Sequence, residues 1–450
     1  MTPRCPYPTR LGGPLVIRRL VMCTIVGLVL CAGAALPTAQ ATTGGGGPRP
    51  GTNPHATWKP EPGAAFNYPV GSGQARTVLV RRVIAAIDHT LGGETIRIAA
   101  YSFDRTDVMN ALLAAHHRGV RVQIVLNDNW FSHQTFHLRR VLGHNYHHKS
   151  FVVFCKGSCR GGPGNLHMKV YAFSRTGAAK NVVITGSANM TDRAVFLQWN
   201  DLYTMNNEAP LYNTFVHIFN QLKRDRSVSP RWVTFHDGSI GGQFYKTETG
   251  SGARASKVSS RTFSKLPGPE RDPVLQRLKK IRCSAVKGAG VNGRTVIRIT
   301  MYGWNHARGK WLANQVADLK RRGCDVKAIL GVPGGGVQRV LHNAHIPLRS
   351  SDYDYINTGT IADPVWVVNF YSHLKVLAVN GNMSGKPVHS VWTGSENWSP
   401  MSFRNDEIIL RVDSARNYRT YAGWFDFMWN HGTHKLGIRP TGKPRPAPLP

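Results

Sequence analysis

Acidic residues are scarce in this chain of 450 residues: 24 Asp and Glu stand against 57 Lys and Arg, a formal charge of +33. Such a surface disfavours cationic partners and attracts polyanions, whether nucleic acid, anionic lipid headgroups or cell-wall polymers. Charge also serves solubility or tethering, so it names no single partner. Cysteine is sparse, at seven residues, and no Gly-rich nucleotide cradle of the P-loop type occurs. What is present describes a globular protein, with 41% hydrophobic and 9% aromatic residues. The length exceeds the usual size of one hydrophobic core, so two domains or a duplicated one are expected.

Residues 1–41 stand apart. Arg18 and Arg19 precede an apolar run over 20–36, Pro37 closes it, and Ala39-Gln40-Ala41 is a small-x-small cleavage site. The run is short for a membrane span. It reads as a signal peptide and the protein as secreted, with an uncleaved anchor as the alternative. Without this segment 53 basic residues face 24 acidic ones, a charge of +29, and four cysteines remain. In an exported protein Cys155, Cys159, Cys283 and Cys324 suggest two disulfides, the first pair closing a small loop and the second tying a helix to a strand. A zinc site is the alternative, although Cys155-x-x-x-Cys159 is not the usual ligand spacing.

Residues 42–62, rich in Gly and Pro, read as a flexible leader. Two similar halves follow, 63–236 and 269–434, separated by a linker or exposed hairpin over 237–268. The first has helical spacing over 78–91, a strand over 95–101, a helix over 108–118 and a strand over 120–126. The same order returns with a helix near 274–281, a strand over 295–302, a helix over 310–321 and a strand over 326–330. Each half closes on an aromatic amphipathic helix. This is an internal duplication of an α/β unit, and the alternation predicts a mainly parallel sheet with helices on its faces. The Pro-rich basic tail, 435–450, reads as disordered.

Each half also repeats a short pattern. Asn165-Leu166-His167-Met168-Lys169 precedes Gly186-Ser187-Ala188-Asn189, and Tyr371-Ser372-His373-Leu374-Lys375 precedes Gly394-Ser395-Glu396-Asn397. On a strand a His and a Lys two residues apart face the same way. One such pair means little in so basic a chain, but two, each with its own Gly-Ser-x-Asn, carry a strong signal. Brought together, two imidazoles, two ammoniums and two amides suit a tetrahedral anion. Lys169 and Lys375 supply charge, Asn189 and Asn397 donate hydrogen bonds, and Ser187 and Ser395 support the phosphate site. One imidazole can attack phosphorus while the other protonates the leaving oxygen, with no cofactor or metal required. Asp201 and Glu407, like the two histidines 206 positions apart, could each hold an imidazole Nδ1–H. The run His144-Asn145-Tyr146-His147-His148-Lys149 has no carboxylate beside it and reads as a basic loop wall.

This doubled pattern resembles the phospholipase D superfamily, over roughly 78–429. The resemblance implies two α/β/α sandwich halves about a pseudo-twofold axis, a nucleophilic His167, and His373 as general acid and then base. It also implies metal-independent hydrolysis, often with transfer to alcohols. The family's Asp five residues after the Lys is replaced by Ser174 and Asn380; that Asp supports the strand end and does not touch phosphate. The wide spacing to Gly-Ser-x-Asn suggests longer hairpins over 175–180 and 381–388. Phospholipid is the first substrate reading, since export and the aromatics Trp130, Phe131, Trp304, Trp366, Tyr371 and Trp398 suit a lipid interface. The expected partner is an anionic phospholipid membrane surface, and the protein is expected to be a monomer. A nuclease acting on nucleic acid and a non-catalytic polyanion-binding relative are the alternatives.

Overall fold

The computed structural model describes residues 57–229, 232–245, 268–361 and 363–450. The signal peptide, most of the leader and residues 246–267 of the linker lie outside the described residues.

The first half opens with β1 (Gly63–Phe66) and α1 (Gly73–Asp88), which Ser72 caps by accepting from the Ala75 amide. Then come β2 (Thr95–Ala100), α2 (Thr106–His117), β3 (Arg121–Asn127), α3 (His133–Leu142) and β4 (Phe151–Cys155). The motif region supplies β5 (Val170–Thr176), β6 (Ala179–Gly186), α4 (Asp192–Phe196), β7 (Gln198–Trp199) and β8 (Asp201–Met205). Helix α5 (Ala209–Leu222) closes the half.

The hairpin β9 (Val233–Asp237) and β10 (Ile240–Tyr245) precedes α6 (Pro273–Lys279) and β11 (Ile281–Arg282). β12 (Val296–Trp304), α7 (His306–Arg321), β13 (Asp325–Pro333), α8 (Gly335–Asn343) and β14 (Leu348–Ser350) repeat the earlier order. A hairpin of β15 (Tyr353–Asn357) and β16 (Trp366–Ser372) leads into β17 (Lys375–Met383). β18 (Lys386–Gly394), β19 (Glu407–Asp413) and α9 (Ala415–His431) complete the chain's regular elements.

The first sheet runs β1-β8-β6-β5-β2-β3-β4 and the second β14-β13-β12-β17-β18-β19-β10-β9, with β11 beside β17. β10 holds beside β19 the place that β1 holds beside β8, so the hairpin placed in the expected linker belongs to the second sheet. The sheets are mixed, not mainly parallel. Among the described residues of these two sheets only β2–β3, β3–β4, β12–β13 and β13–β14 run parallel. The reason is local: β5 turns into β6 through Gly177-Ala178, and β17 into β18 through Ser384-Gly385. Two-residue turns cannot make a crossover and force antiparallel pairing. The expected longer hairpins are longer strands on tight turns.

The outer face of the first sheet is covered by α1, α2 and α3 in one core, and that of the second by α6, α7 and α8 in another. The inner faces meet in a shared core with α5 and α9. The disulfides Cys155–Cys159 and Cys283–Cys324 form as expected. Among the described residues no helix is long and apolar enough to cross a membrane.

A small sheet, β15-β16-β7, ties the halves by setting Ser372 against Trp199. The tail, expected to be disordered, lies against it. The amides of Asp354 and Tyr355 donate to Gly442 O at 3.2 Å and Pro440 O at 3.1 Å, and Pro444 is buried. A Pro-rich segment has few N–H groups but every carbonyl, which matches the unpaired donors of an exposed strand edge.

Candidate active site

Each motif histidine stands just ahead of a strand, not within one: His167 before β5, and His373 between β16 and β17. Each is held by the opposite half. The His167 and Met168 amides donate to Asp406 O at 3.0 and 2.9 Å, and the His373 amide donates to Trp199 O at 2.9 Å. Gly164 allows this approach, since a Cβ there, at φ +127°, would lie 2.1 Å from Arg404 O.

The two imidazoles have different supports. His167 Nδ1 lies 3.0 Å from both oxygens of the fully buried Glu407, which crosses from the second half. His373 Nδ1 instead faces two neutral oxygens, Ser187 O at 3.1 Å and Asn200 Oδ1 at 3.0 Å. Asp201 therefore does not orient His373, contrary to expectation. Its Oδ1 accepts from the Ser187 hydroxyl at 2.7 Å, and its Oδ2 from Thr393 Oγ1 at 2.5 Å and the Tyr421 hydroxyl at 2.8 Å. Aspartate is one methylene shorter than Glu407 and is fully engaged by these donors.

Ser395 correspondingly donates to Glu407 and accepts from the Ile408 amide at 3.1 Å. Both motif serines thus brace carboxylates at the site, a supporting place beside the other motif residues. Lys169 and Lys375 are buried, and each Nζ donates to the carbonyl of its own motif histidine. Asn397 Oδ1 accepts from the Gly303 amide at 3.1 Å, which leaves its amide N–H groups as donors. Asn189 is buried, and its Oδ1 has no hydrogen-bond partner among the described residues.

Two tyrosines escaped the sequence reading. Tyr101 lies under Lys169 at 5.6 Å and edge-on to His167 at 5.5 Å. Tyr302 lies under Lys375 at 4.9 Å, with its ring 4.9 Å from His373. The signal was available, because each tyrosine ends the strand expected from the sequence in its half, 95–101 and 295–302.

Electrostatically the site is poised for an anion. Burial pushes His373 well below the usual imidazole range, and Lys375, Lys169 and His167 push it the same way. Burial also lowers His167, against the pull of Glu407. It brings Lys169 down to about 7 and Lys375 well below the usual ammonium range. Burial alone would raise Glu407, but His167 and Lys169 outweigh it and hold the carboxyl at about 2. Glu407 is thus ionised, and a neutral His167 donates Nδ1–H to it, leaving Nε2 as a nucleophile.

Residues outside this ring take structural places. Ser174 Oγ accepts from the Thr95 amide at 2.8 Å, and Asn380 Oδ1 from the Gly290 amide at 2.7 Å. The two departures from the family pattern therefore still fasten their strands to a neighbouring loop. Trp304 and Trp398 pack edge to face at 4.5 Å in the second core, and Tyr371 is buried against Tyr302 at 4.8 Å. These three form no interface. Trp130 is half-buried, whereas Phe131 and Trp366 are exposed, as is most of the run 144–149.

Paired imidazoles, ammoniums and amides contributed by both halves define a two-histidine phosphodiester-transfer site. The chain belongs to the phospholipase D-like family: the family described as cardiolipin synthase, PLD-like domain, matches residues 83–223 and 292–429. Among solved structures, phosphatidylserine synthase of Haemophilus influenzae Rd KW20 is 12% identical over 83% of this chain and 87% of that one, with a TM-score of 0.49. Nuc of Salmonella typhimurium, a phospholipase D family member, is 26% identical over 36% of this chain and 93% of its own, with a TM-score of 0.26. Polyphosphate kinase of Porphyromonas gingivalis is 13% identical over 84% of this chain, with a TM-score of 0.47, and this chain spans only 53% of that one. No curated protein sequence matches.

Proposed function

We propose that this chain is a secreted phosphodiesterase of phospholipase D type that releases phospholipid headgroups through a phosphohistidine at His167. One observation carries the mechanism: His167 has a carboxylate on Nδ1, whereas His373 has only neutral oxygens. His167 Nε2 attacks phosphorus and gains positive charge, which Glu407 stabilises. The bond from phosphorus to the headgroup oxygen breaks, and His373 gives that oxygen the proton on its Nε2. The anionic diester, by neutralising the field of the lysines, lets His373 carry that proton. Water then loses a proton to His373 and attacks phosphorus, the P–N bond breaks, and phosphatidate leaves. A primary alcohol in place of water gives transfer.

The lipid reading is supported by Ile356 and Trp366, 47% and 42% exposed on the hairpin leading into His373. The charge of +29 that remains without residues 1–41 suits nucleic acid and anionic lipid alike, so a nuclease is the second reading. The deciding experiment compares headgroup release from phospholipid vesicles with nicking of plasmid DNA, with and without a strong chelator. Headgroup release that persists in chelator and vanishes in His167→Ala is expected. Robust nicking without lipid turnover would overturn the substrate, and turnover by His167→Ala the nucleophile.

A further inference from the structure

The first half carries a feature that the catalytic ring does not use. Helix α3 and the loop before it present Phe131 and Phe136, each 52% exposed, and Val141, 39% exposed. The two rings stack at 5.5 Å and both rest on Phe154, at 4.9 and 5.8 Å, with Arg139 over the same ring at 5.2 Å. The helix buries Thr135, Leu138 and Leu142 and is capped by Ser132 in a capping box, so its orientation is fixed. Its solvent face consequently holds His133, His137 and Arg140, with Phe136 on one edge and Val141, five residues on, at the other.

Charge around these side chains has one sign. No acidic residue occurs between Asp128 and Asp192, a stretch that includes Arg139, Arg140, Lys149, Lys156 and five histidines over 133–148. The fold does not require the aromatics either: where α3 is entered through Trp130-Phe131-Ser132, its counterpart α8 is entered through Val332-Pro333-Gly334. The patch is also continuous with the site. Asn129, two residues before Phe131, donates to Asn165, two residues before His167.

We infer that α3 and its entry loop are a docking surface for an anionic phospholipid bilayer, with Phe131, Phe136 and Val141 set into the headgroup region. An exposed aromatic pair beside cations, held on a rigid body, is an arrangement that binds such interfaces. Val141 distinguishes a bilayer from single-stranded nucleic acid, because an aliphatic side chain offers no stacking platform for a base. The inference rests on the phospholipid reading for its purpose, while its binding test is independent of turnover.

The test uses the full chain and sedimentation with two kinds of vesicle, phosphatidylcholine alone and phosphatidylcholine with phosphatidylglycerol. Turnover of a soluble chromogenic phosphodiester is measured beside it. The wild type should prefer the anionic vesicles. Phe131→Ala/Phe136→Ala should weaken vesicle binding by about tenfold or more and leave soluble-substrate turnover within about twofold. Arg140→Glu should weaken binding to anionic vesicles alone. Wild-type binding by the double variant would overturn the docking surface while leaving the phospholipid reading intact. Binding of a single-stranded oligonucleotide that the double variant loses, with no vesicle binding by the wild type, would overturn both.

Discussion

Replacing Glu407 by Gln tests the central assignment with little change of shape. The carboxylate is fully buried, and its oxygens lie 3.0 Å from His167 Nδ1, with Asn405 Nδ2 also 3.0 Å from Oε1. Glutamine can still accept from Nδ1–H through Oε1, so the ring keeps its orientation, while the charge and the acceptor for the Ser395 hydroxyl are lost. A unit charge about 4 Å from the phosphorylated imidazole is worth about 4 kcal/mol at an effective dielectric near 20. The amide dipole recovers part of this, leaving about 3 kcal/mol, or roughly a hundredfold in kcat. KM should change less than about threefold, because the lysines still hold the diester. The assay is steady-state hydrolysis of a soluble chromogenic diester, with acid-quenched trapping of the phosphoenzyme. A loss of kcat below about tenfold, or a loss confined to KM, would refute the role given to Glu407.

Asp201→Asn should behave differently, since Asp201 braces Ser187, Thr393 and Tyr421 and does not touch His373. Whichever oxygen becomes the amide nitrogen, two donors lose their acceptor, so calorimetry should show at least about 1–3 kcal/mol of lost stability while kcat falls less than about tenfold. Affinity for inorganic phosphate, measured by titration calorimetry, should weaken as pH rises above about 7, because Lys169 is charged only below that value. His434 faces Asp352 Oδ1 at 3.0 Å and Asp352 O at 2.6 Å through Nε2, and Lys435 O at 2.7 Å through Nδ1. Burial alone would lower its pKa, but these acceptors raise it. A raised folded value means that its stabilisation is complete below the ordinary imidazole range and lost as pH rises through the folded value. Amide exchange over β15 and the tail should therefore quicken across that rise, and His434→Gln should abolish the pH dependence.

The duplication, the paired histidines, lysines and amides, and both disulfides were legible because each is written in residue type and spacing. Strand direction was not, since it depends on two-residue turns such as Ser384-Gly385, with φ of 54° and 86°, that a β–α alternation does not reveal. Helix α3 went unread because the edges of its solvent face carry Phe136 and Val141, which blurs the amphipathic pattern that marks a surface helix. The tail read as disordered because its composition gives it no reason to order alone; its partner is the open edge of β15, a tertiary fact.

The least legible feature is also the one that gives the reaction a direction. Positions 200 and 201 in the first half match 406 and 407 in the second, so a symmetric site would support both imidazoles alike. One methylene breaks that symmetry. Glu407 reaches across to His167, while Asp201 falls to Ser187, Thr393 and Tyr421, and Asn200 takes the place beside His373. A positive charge is therefore tolerated on His167, as a phosphorylated imidazole requires. On His373 a proton is held weakly, as a proton donor requires, and the burial and neighbouring lysines that lower its affinity make the proton conditional on a bound anion. On the proposed mechanism, two copies of one motif thus become a nucleophile and an acid through the length and charge of the second-half and first-half residues that meet them.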